Sequence, residues 1–380
     1  MTNLRWTTAG ESHGAALIGV LEGVPAGLEV DLGRIDAELA RRQGGYGRGG
    51  RMKIETDRVR VLSGVRAGRT LGSPIALELE NKDSTIERLP VPTSARPGHA
   101  DLAGCQKLGQ RDPRAVLERA SARETAMRTA LGALARLVLE RFGIEIFAHV
   151  VELGGARARA EAFESAAGER AKLRESSAFH ALDPQIEADW RARVDAAKAA
   201  GDTLGGVFEL RVLGLPPGLG SYHSGAERLT ARLGAALFSI PAIKGVEFGL
   251  GFESARRSGS QVHDEIVPRA GTFGRFARAT NRAGGLEGGM TTGEELVARV
   301  AMKPISTLRR GLATVDFASG ESVLSTWQRS DVTSVPAASV VGEALVALEL
   351  TRAFLERFGG DTLEQVAQAY TDQVERLRRL

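Results

Sequence analysis

The sequence predicts an α+β fold. Strand-like and helical segments interleave irregularly, whereas a doubly wound parallel sheet would repeat βα units at regular intervals. The 380 residues contain no Pro/Ser-rich linker and no internal repeat, and 43% of them are hydrophobic, enough for a sizeable core. We therefore predict one domain over residues 1–380, with inserted active-site loops at about 41–52, 81–118 and 281–310.

The elements of the first third follow from caps and apolar runs. Residues 15–22 (AALIGVLE) predict a strand. Asp31 is a suitable N-cap for a helix that ends at the Gly-rich sequence of residues 44–50. Strand-like segments follow at 53–63 and 74–80, before a polar, Pro-containing stretch over 81–118.

Longer periodic segments fill the rest of the chain. A helix is predicted to start near Ser121 and to stop at Gly143, because apolar residues between them recur at helical spacing. Further strands are predicted at 144–152, 206–213, 245–250 and 312–317. Further helices are predicted at 225–239, 336–358 and 361–378.

Composition excludes several classes of protein. The single cysteine, Cys105, cannot form an internal disulfide, and no Cys/His cluster has the spacing of a zinc site, so we predict no metal and a reducing, cytoplasmic location. No apolar run approaches the ~18 residues of a membrane span. The net charge is only +3, but residues 41–60 carry seven basic side chains against two acidic ones. That segment favours an anionic ligand.

Two histidines lie on Gly-flanked turns. His13 belongs to Gly10–Gly14 (GESHG), and His99 belongs to RPGHAD, beside Arg96 and Asp101. Because imidazole titrates near neutral pH, the pair is a candidate acid/base couple. The alternative for each is a surface histidine in a tight turn. The remaining histidines are interpreted mainly as structural or surface groups: His149, His180, His223 and His263.

Residues 41–51 (RRQGGYGRGGR) place arginines on a Gly-rich loop that can fold around phosphate and carboxylate oxygens. The string contains GxGxxG, but a dinucleotide fingerprint follows a strand and opens a helix, whereas here a helix comes first. We therefore reject that reading. A disordered basic loop and a nucleic-acid contact remain as alternatives, the second weakened by the lack of aromatic residues other than Tyr46.

Three further segments have weaker signals. Ser121 and Glu124 have the spacing of a capping box at a helix N-terminus, which is also an anion site. Residues 303–307 form a cationic turn with hydroxyl donors after the Gly-rich run 284–289. Arg329 and Asp331 are by default a solvated ion pair.

Together these motifs occur in a fixed order: GESHG, RRQGGYGRGGR, RPGHAD, ERASARET, GGLEGGM with MKPIST, and RSD. The set resembles the chorismate synthase family from residue 10 to about 350. The resemblance implies a carbon–oxygen lyase that eliminates phosphate from 5-enolpyruvylshikimate 3-phosphate to give chorismate, the last common step of aromatic amino acid biosynthesis in the shikimate pathway. Reduced FMN is required, although the reaction has no net redox change.

The resemblance also implies roles for individual residues. His13 matches the histidine near the departing phosphate, His99 the histidine near the flavin, and Asp331 the carboxylate near flavin N5. Arg42, Arg48 and Arg51 would hold substrate anions, or NADPH in members that reduce their own flavin. The residues expected to contact FMN are Ser121, Ala122, Arg123, Pro241, Ala242, Gly288, Lys303, Pro304, Ile305, Ser306, Thr307 and Arg329.

The family architecture is a β-α-β sandwich with long helices between antiparallel sheets, in a homotetramer. We expect NADPH to act only indirectly or through an external flavin reductase, and neither nucleic acid nor membrane to be a partner. An NADPH-using flavin oxidoreductase is the main alternative activity, because of the GxGxxG string and the arginines around it. A nucleic-acid-binding protein is a remote third.

Overall fold

The computed structural model describes residues 4–49, 56–159, 163, 167–325 and 330–380. Helices and strands are numbered in chain order. The helices are α1 Leu32–Gln43, α2 Asp101–Leu108, α3 Arg114–Ala120, α4 Thr125–Glu140, α5 Ala167–Ser176, α6 Glu187–Ala199, α7 Leu229–Phe238, α8 Val335–Phe358 and α9 Leu363–Arg379. No helix in these ranges is long and apolar enough to span a membrane.

The first sheet contains four antiparallel strands in the order β1-β2-β6-β3. They are β1 Arg5–Ala9, β2 Ala16–Glu22, β3 Arg60–Ser63 and β6 Ile75–Glu80, with β4 Val65–Arg66 and β5 Arg69–Thr70 as a small hairpin beside them. Alternate residues of β6 (Ile75, Leu77 and Leu79) are fully buried. Period-two burial of this kind means that one face of the sheet is packed against the interior.

The second sheet contains five antiparallel strands in the order β10-β15-β9-β7-β8. They are β7 Glu145–Leu153, β8 Ala156–Arg157, β9 Gly206–Leu213, β10 Ile243–Phe248 and β15 Leu296–Met302. The short hairpins are β11 Ile266–Gly271 with β12 Gly274–Arg278, β13 Leu286–Glu287 with β14 Met290–Thr291, and β16 Ala313–Val315 with β17 Ser322–Leu324.

Helices α4 and α8 lie between the two sheets, α4 against β2 and β6 and α8 against β7 and β9. A glycine allows close approach at each of the three interfaces. A Cβ at Gly19 of β2 would collide with Met127 of α4, one at Gly132 of α4 with Ala344 of α8, and one at Gly342 of α8 with Phe208 of β9. The prediction of a β-α-β sandwich is therefore confirmed.

Most of the long elements lie where the sequence places them. The strand predicted at 206–213 is β9, and the helix predicted at 336–358 is α8. The helix predicted at 225–239 begins only at Leu229, and the strand predicted at 312–317 is limited to Ala313–Val315. Of the strand predicted at 53–63, residues 60–63 form β3 and residues 53–55 lie outside the described ranges.

The three predicted loops contain regular structure. Helix α1 continues through Arg41 and Arg42 to Gln43, α2 and α3 lie inside 81–118, and β15 lies inside 281–310. Strand β15 was missed because its short apolar run (LVARVAM) has no periodicity that separates a buried strand from other structure. It pairs with both β9 and β10 and is central to the second sheet.

Candidate active site

His13 lies in the turn between β1 and β2, against the C-terminal half of α3. Its ring Nδ1 lies 3.0 Å from Oε2 of Glu118, and its backbone N–H donates to the same oxygen at 2.9 Å. Arg114, one turn earlier on α3, donates from Nη1 to Glu118 Oε1 at 3.0 Å. Nε2 of His13 lies 3.9 Å from Oδ2 of Asp83. The Glu118 side chain is 2% exposed, so its charge is neutralised almost wholly by protein groups.

The protonation state of Glu118 determines which ring nitrogen of His13 carries a proton. Burial alone would raise the pKa of Glu118, but hydrogen bonds from His13 and Arg114 outweigh burial and lower that pKa. Glu118 is therefore an ionised acceptor at neutral pH. Nδ1 of His13 must then carry the N–H, which leaves Nε2 as the nitrogen that can exchange a proton.

The turn that carries His13 is tied to the start of α4. The Ser121 hydroxyl lies 3.1 Å from the hydroxyl of Ser12, and the amide of Asn81 donates to the backbone carbonyls of Glu11 and Gly14. Asn81 Oδ1 in turn accepts from Nε of Arg123 at 2.8 Å. His13 is thus held at a fixed place relative to residues 121–123.

His99 has a similar arrangement on a different part of the chain. Its Nδ1 lies 2.5 Å from Oδ1 of Asp101, and Arg96 donates to both oxygens of Asp101, from Nε at 2.7 Å and from Nη2 at 3.0 Å. Burial would raise the pKa of Asp101, but hydrogen bonds from His99 and Arg96 lower it well below its ordinary value. Nη2 of Arg96 also lies 3.0 Å from Nδ1 of His99, but the shorter contact with the ionised Asp101 makes Nδ1 the donor and leaves Nε2 as the exchangeable site.

Three arginines and two carboxylates meet beside the N-termini of α4 and α8. Arg123 donates from Nη1 to both oxygens of Asp57, at 2.7 and 2.8 Å, and Arg48 forms a 3.0 Å ion pair with Asp331. Arg42 donates from Nε to the Thr125 hydroxyl and from Nη2 to the Ala122 carbonyl. Its closest carboxylate contact, to Asp57, is 4.0 Å long. Cations therefore outnumber anions among these described residues.

Arg42 is the least compensated member of this cluster. It is 4% exposed, and within the described ranges its buried Nη1 has no hydrogen-bond acceptor. Burial and the charge of Arg48 lower the pKa of Arg42 to about 9, despite the opposing effect of Asp57. The guanidinium is still charged at neutral pH, so the cluster favours binding of an anion.

Asp331 occupies the loop that leads into α8. Its Oδ1 accepts from the backbone N–H of Gly49 at 2.5 Å, and its Oδ2 accepts from the Ser334 hydroxyl at 2.6 Å. Asp331 pairs with Arg48 and its side chain is only 18% exposed, so its carboxylate is less solvated than the default interpretation of residues 329–331 predicts. Arg329 and Arg51 lie outside the described residues.

The predicted capping box at Ser121 is wrong. The Ser121 side chain does accept from the backbone N–H of Arg123, but the Glu124 side chain does not accept from the backbone N–H of Ser121. Its carboxylate accepts from the Thr8 hydroxyl and from Nε of Arg128 instead. Residues 122–124 form a short 3-10 turn, and α4 begins at Thr125. The competing contact with β1 could not be read from local spacing.

Residues 303–307 lie next to the His99 turn. Lys303 Nζ donates to the Gly98 carbonyl at 2.5 Å, and Nη1 of Arg96 lies 3.5 Å from the Thr307 hydroxyl. The backbone N–H of Lys303 donates to the carbonyl of Ala242, which has a positive φ of 69°. The two segments expected to contact a flavin, 241–242 and 303–307, are therefore adjacent.

A chain of contacts joins these segments to the arginine cluster. Arg128, in the first turn of α4, donates to Ser239, three residues before Ala242. On the other side, Thr203 donates to the Ile305 carbonyl, and its neighbour Leu204 bonds to the Val332 carbonyl. The backbone N–H of Val332 then donates to Gly47. His13, His99, the arginines and residues 121–123, 241–242, 303–307 and 331 belong to one continuous region.

Gly288 lies apart from this region within one chain. It is exposed in the turn between β13 and β14, and its neighbour Gly289 accepts from the N–H of Leu229 at the start of α7. Ala242 follows the other end of α7. The ten residues of that helix span about 15 Å. Among the described contacts, none connects Gly288 to the other predicted flavin residues.

Sequence reasoning missed several polar residues of the region. Glu118, Asp57 and Asn81 are all nearly fully buried, yet each bonds to a predicted site residue. Buried carboxylates and amides of this kind carry no local sequence signal, since their partners lie tens of residues away. Asp101 is the exception, because it stands two residues after His99 in the same turn.

Comparisons with known proteins identify the family of the chain. A family model described as chorismate synthase matches residues 4–355. The chain is 53% identical to the chorismate synthase of Desulforudis audaxviator, over 99% of this chain and 98% of that protein. It is 52% identical to the chorismate synthase of Nocardia farcinica, over 98% of this chain and 96% of that protein.

The fold leads to the same family. A crystal structure of a chorismate synthase superposes with a TM-score of 0.82 and 41% sequence identity, covering 100% of this chain and 99% of that one. Identity of about one half over nearly the full length, with agreement of fold, shows common descent. The chain belongs to the chorismate synthase family.

Proposed function

We propose that this chain catalyses the anti-1,4-elimination of phosphate and the C6 proton from 5-enolpyruvylshikimate 3-phosphate, giving chorismate with the help of reduced FMN. Membership of the chorismate synthase family makes the chain a lyase. The observation that carries the finer proposal is the arginine cluster at residues 42, 48 and 123, joined through Ser12 and Ser121 to His13. The region therefore combines a site for an anion with a side chain that can donate or accept a proton.

Anion binding is assigned to Arg42 and Arg48, with Arg51 as a further candidate from the sequence. The substrate carries two carboxylates and a phosphate, and guanidinium groups bind such oxygens through paired N–H donors. Nη1 of Arg42 is a buried donor that lacks an acceptor within the described ranges, as does Nη2 of Arg41. Arg42, unlike Arg41, has no carboxylate closer than 4.0 Å among these residues, and the substrate would supply the missing anion. Arg123 is held by Asp57 and Asn81, which suits a role in positioning the neighbouring residues of the site.

Protonation of the departing phosphate is assigned to Nε2 of His13. Nδ1 is committed to Glu118, so the ring can give up a proton only from Nε2. General acid catalysis of this kind typically accelerates a reaction by about 10² to 10⁴. The carboxylate of Asp331 would help to remove the C6 proton. Nε2 of His99 would exchange a proton near the cofactor.

The described residues fit FMN by the chemistry of their donors. Lys303 and the hydroxyls of Ser306 and Thr307 lie around the Gly98–His99 turn, where cationic and hydroxyl donors suit an anionic cofactor. We propose that these residues, with Pro304, Ile305, Pro241, Ala242 and residues 121–123, hold FMN. When bound, the reduced cofactor would supply electron density that assists cleavage of the C–O bond.

Three further expectations rest on the family resemblance alone. We propose that NADPH acts only indirectly or through an external flavin reductase, that the chain works as a homotetramer, and that it does so in the cytoplasm. Gly288 and Arg329 also remain flavin candidates on this basis.

Phosphate release from 5-enolpyruvylshikimate 3-phosphate tests the proposal. It should be measured anaerobically with chemically reduced FMN, for the unmodified enzyme and for His13→Ala, His99→Ala and the control His263→Ala, whose side chain is exposed outside the site. We expect release to fall by about 10² or more in the first two variants and to be unchanged in the control.

Two outcomes would contradict the proposal. If the folded, unmodified enzyme releases no phosphate, the lyase assignment fails, and steady NADPH consumption without substrate would favour the flavin oxidoreductase instead. If His13→Ala retains full activity, the lyase stands but the assignment of the acid is wrong.

A further inference from the structure

We propose that Glu118 is the positioning residue for His13, fixing the ring as its Nδ1–H tautomer so that Nε2 exchanges the proton. The inference deepens the proposed function and rests on it for the identity of the reaction. The tautomer itself follows from the contacts and the ionisation of Glu118 and does not depend on which reaction the site catalyses. Glu118 does not touch the arginine cluster and acts only through His13.

Both oxygens of Glu118 are occupied by donors. Oε2 accepts from the backbone N–H of His13 and from its Nδ1, and Oε1 accepts from Arg114 Nη1 and lies 3.1 Å from the same Nδ1. The carboxylate therefore binds the backbone and the ring of His13 together. It fixes the position of the residue as well as the side-chain rotamer, and Arg114 fixes the carboxylate.

The charged groups around His13 come from two parts of the chain. Glu118 and Arg114 belong to α3, and Asp83 belongs to the loop after β6, with Oδ2 3.9 Å from Nε2. Asp83 is beyond hydrogen-bonding distance and is itself bonded to the Thr85 hydroxyl. Nε2 therefore has no close acceptor among the described residues and is available to a ligand.

The same pattern recurs at His99. Asp101 accepts from Nδ1 of His99 and is held at both oxygens by Arg96, whose backbone N–H also donates to it. Both candidate histidines are therefore third members of an Arg–carboxylate–His chain, although the two chains share no residue. Neither a tight turn nor a surface histidine requires such an arrangement.

Glu118→Gln is a sharp test because the amide has only one acceptor oxygen. Whichever way it is oriented, its NH2 group must face a donor, either Arg114 or the His13 backbone and ring. We expect the neutral His13 ring to change from the Nδ1–H tautomer to a mixture or to Nε2–H. In the same variant kcat for phosphate release should fall by about 10² while KM changes less than about threefold.

The tautomer should be read from two-bond ¹H–¹⁵N spectra of the full chain labelled at its six histidines, with His13→Gln assigning the signal. Glu118→Asp keeps the charge with a shorter reach and should restore the Nδ1–H tautomer and part of kcat. Asp183→Asn is the matched control, since Asp183 is as buried as Glu118 and is paired with Arg159 away from the site. It should change neither readout.

An unchanged Nδ1–H tautomer in Glu118→Gln would overturn the proposal, as would an unchanged kcat. If that variant does not fold, Glu118→Asp decides, because loss of the Nδ1–H tautomer despite a retained carboxylate contradicts the proposal. Failure of the lyase assignment is distinguishable. In that case no variant releases phosphate, while the tautomer still depends on Glu118.

Discussion

Arg41 and Arg42 are consecutive residues in the last turn of α1, yet their electrostatic surroundings are opposite. Arg41 Nη1 contacts Glu38 at 2.6 Å and Glu343 at 2.9 Å. Arg42 has its closest carboxylate contact at 4.0 Å. Burial opposes both charges, but the two glutamates raise the pKa of Arg41, whereas the pKa of Arg42 is lowered to about 9.

The cluster around Arg41 is balanced. Glu343 of α8 accepts from Arg41, Arg136 and Arg174, and it also accepts from the backbone N–H of Ala148. With Glu38 and Glu140 on the same arginines, three carboxylates face three largely buried guanidiniums, and Glu140 also pairs with the more exposed Arg34. The network joins α1, α4, α5, α8 and β7, so its role is structural.

The cluster around Arg42 has three guanidiniums against two carboxylates. Burying a cation without full compensation costs free energy, and folding tolerates that cost where a ligand later supplies the missing charge. Among arginines that are largely buried, the balance of charge distinguishes those that hold the fold from those that are available to bind a ligand.

The largest effect is expected for Glu343→Gln, which leaves three arginines without their shared carboxylate. We expect the free energy of unfolding at pH 7 to fall by about 3 to 5 kcal/mol, measured by urea denaturation. Burial would raise the pKa of Glu343, but Arg41, Arg174 and Arg136 lower it from 4.5 to about 2. The stabilisation is therefore present above pH 4.5 and is lost as the pH falls through about 2. A gap between wild type and variant that does not shrink on acidification would contradict this account.

For Arg42→Gln we expect kcat/KM for phosphate release to fall by about 30- to 1,000-fold, because a buried donor to a substrate anion is lost. The free energy of unfolding should change by less than about 1 kcal/mol, since a poorly compensated charge is removed together with two hydrogen bonds. A large loss of stability with little loss of activity would reverse the roles assigned to the two clusters.

Arg41→Gln is the matched substitution one residue earlier. We expect it to lower the free energy of unfolding by about 2 to 3 kcal/mol, since Arg136 and Arg174 still compensate Glu343. The activity of the folded enzyme should stay within about threefold of wild type. Urea denaturation and phosphate release in the same preparation check both expectations.

The smallest effect concerns anions alone. Inorganic phosphate at 10 times its Kd should stabilise the unmodified enzyme by about 1.4 kcal/mol, detectable as a rise in Tm by calorimetry. The rise should be smaller in Arg42→Gln and unchanged in Arg41→Gln. An equal rise on adding chloride at the same ionic strength would show that screening, and not binding, is responsible.

The sequence was sufficient where local patterns decide structure. Strand β9 alternates and is bounded by Gly206 and the Pro216–Gly218 turn, and α8 is a long apolar run after Pro336. It was insufficient for β15, which is short and buried, and for the end of α1, where Arg41 and Arg42 were both assigned to a flexible basic loop. Only the helix places them on different sides, about 100° apart.

At the candidate site, too, some residues could be predicted from local sequence and others could not. His13, His99 and the arginines could be predicted because glycine-flanked turns and clustered charge are visible in the chain. Glu118 could not be predicted, since it lies 105 residues from His13 and meets it only after β1, β2 and α3 have packed together. The long-range partners that set protonation are a property of the fold.

The most direct test of the central claim is the Kd of 5-enolpyruvylshikimate 3-phosphate for the unmodified enzyme, Arg41→Gln and Arg42→Gln, measured by isothermal titration calorimetry. We predict that Arg41→Gln binds the substrate as the unmodified enzyme does, and that Arg42→Gln binds it at least about tenfold more weakly, a difference of 1.4 kcal/mol or more. Equal affinity in all three proteins, or equal weakening in both variants, would contradict the distinction between the two clusters.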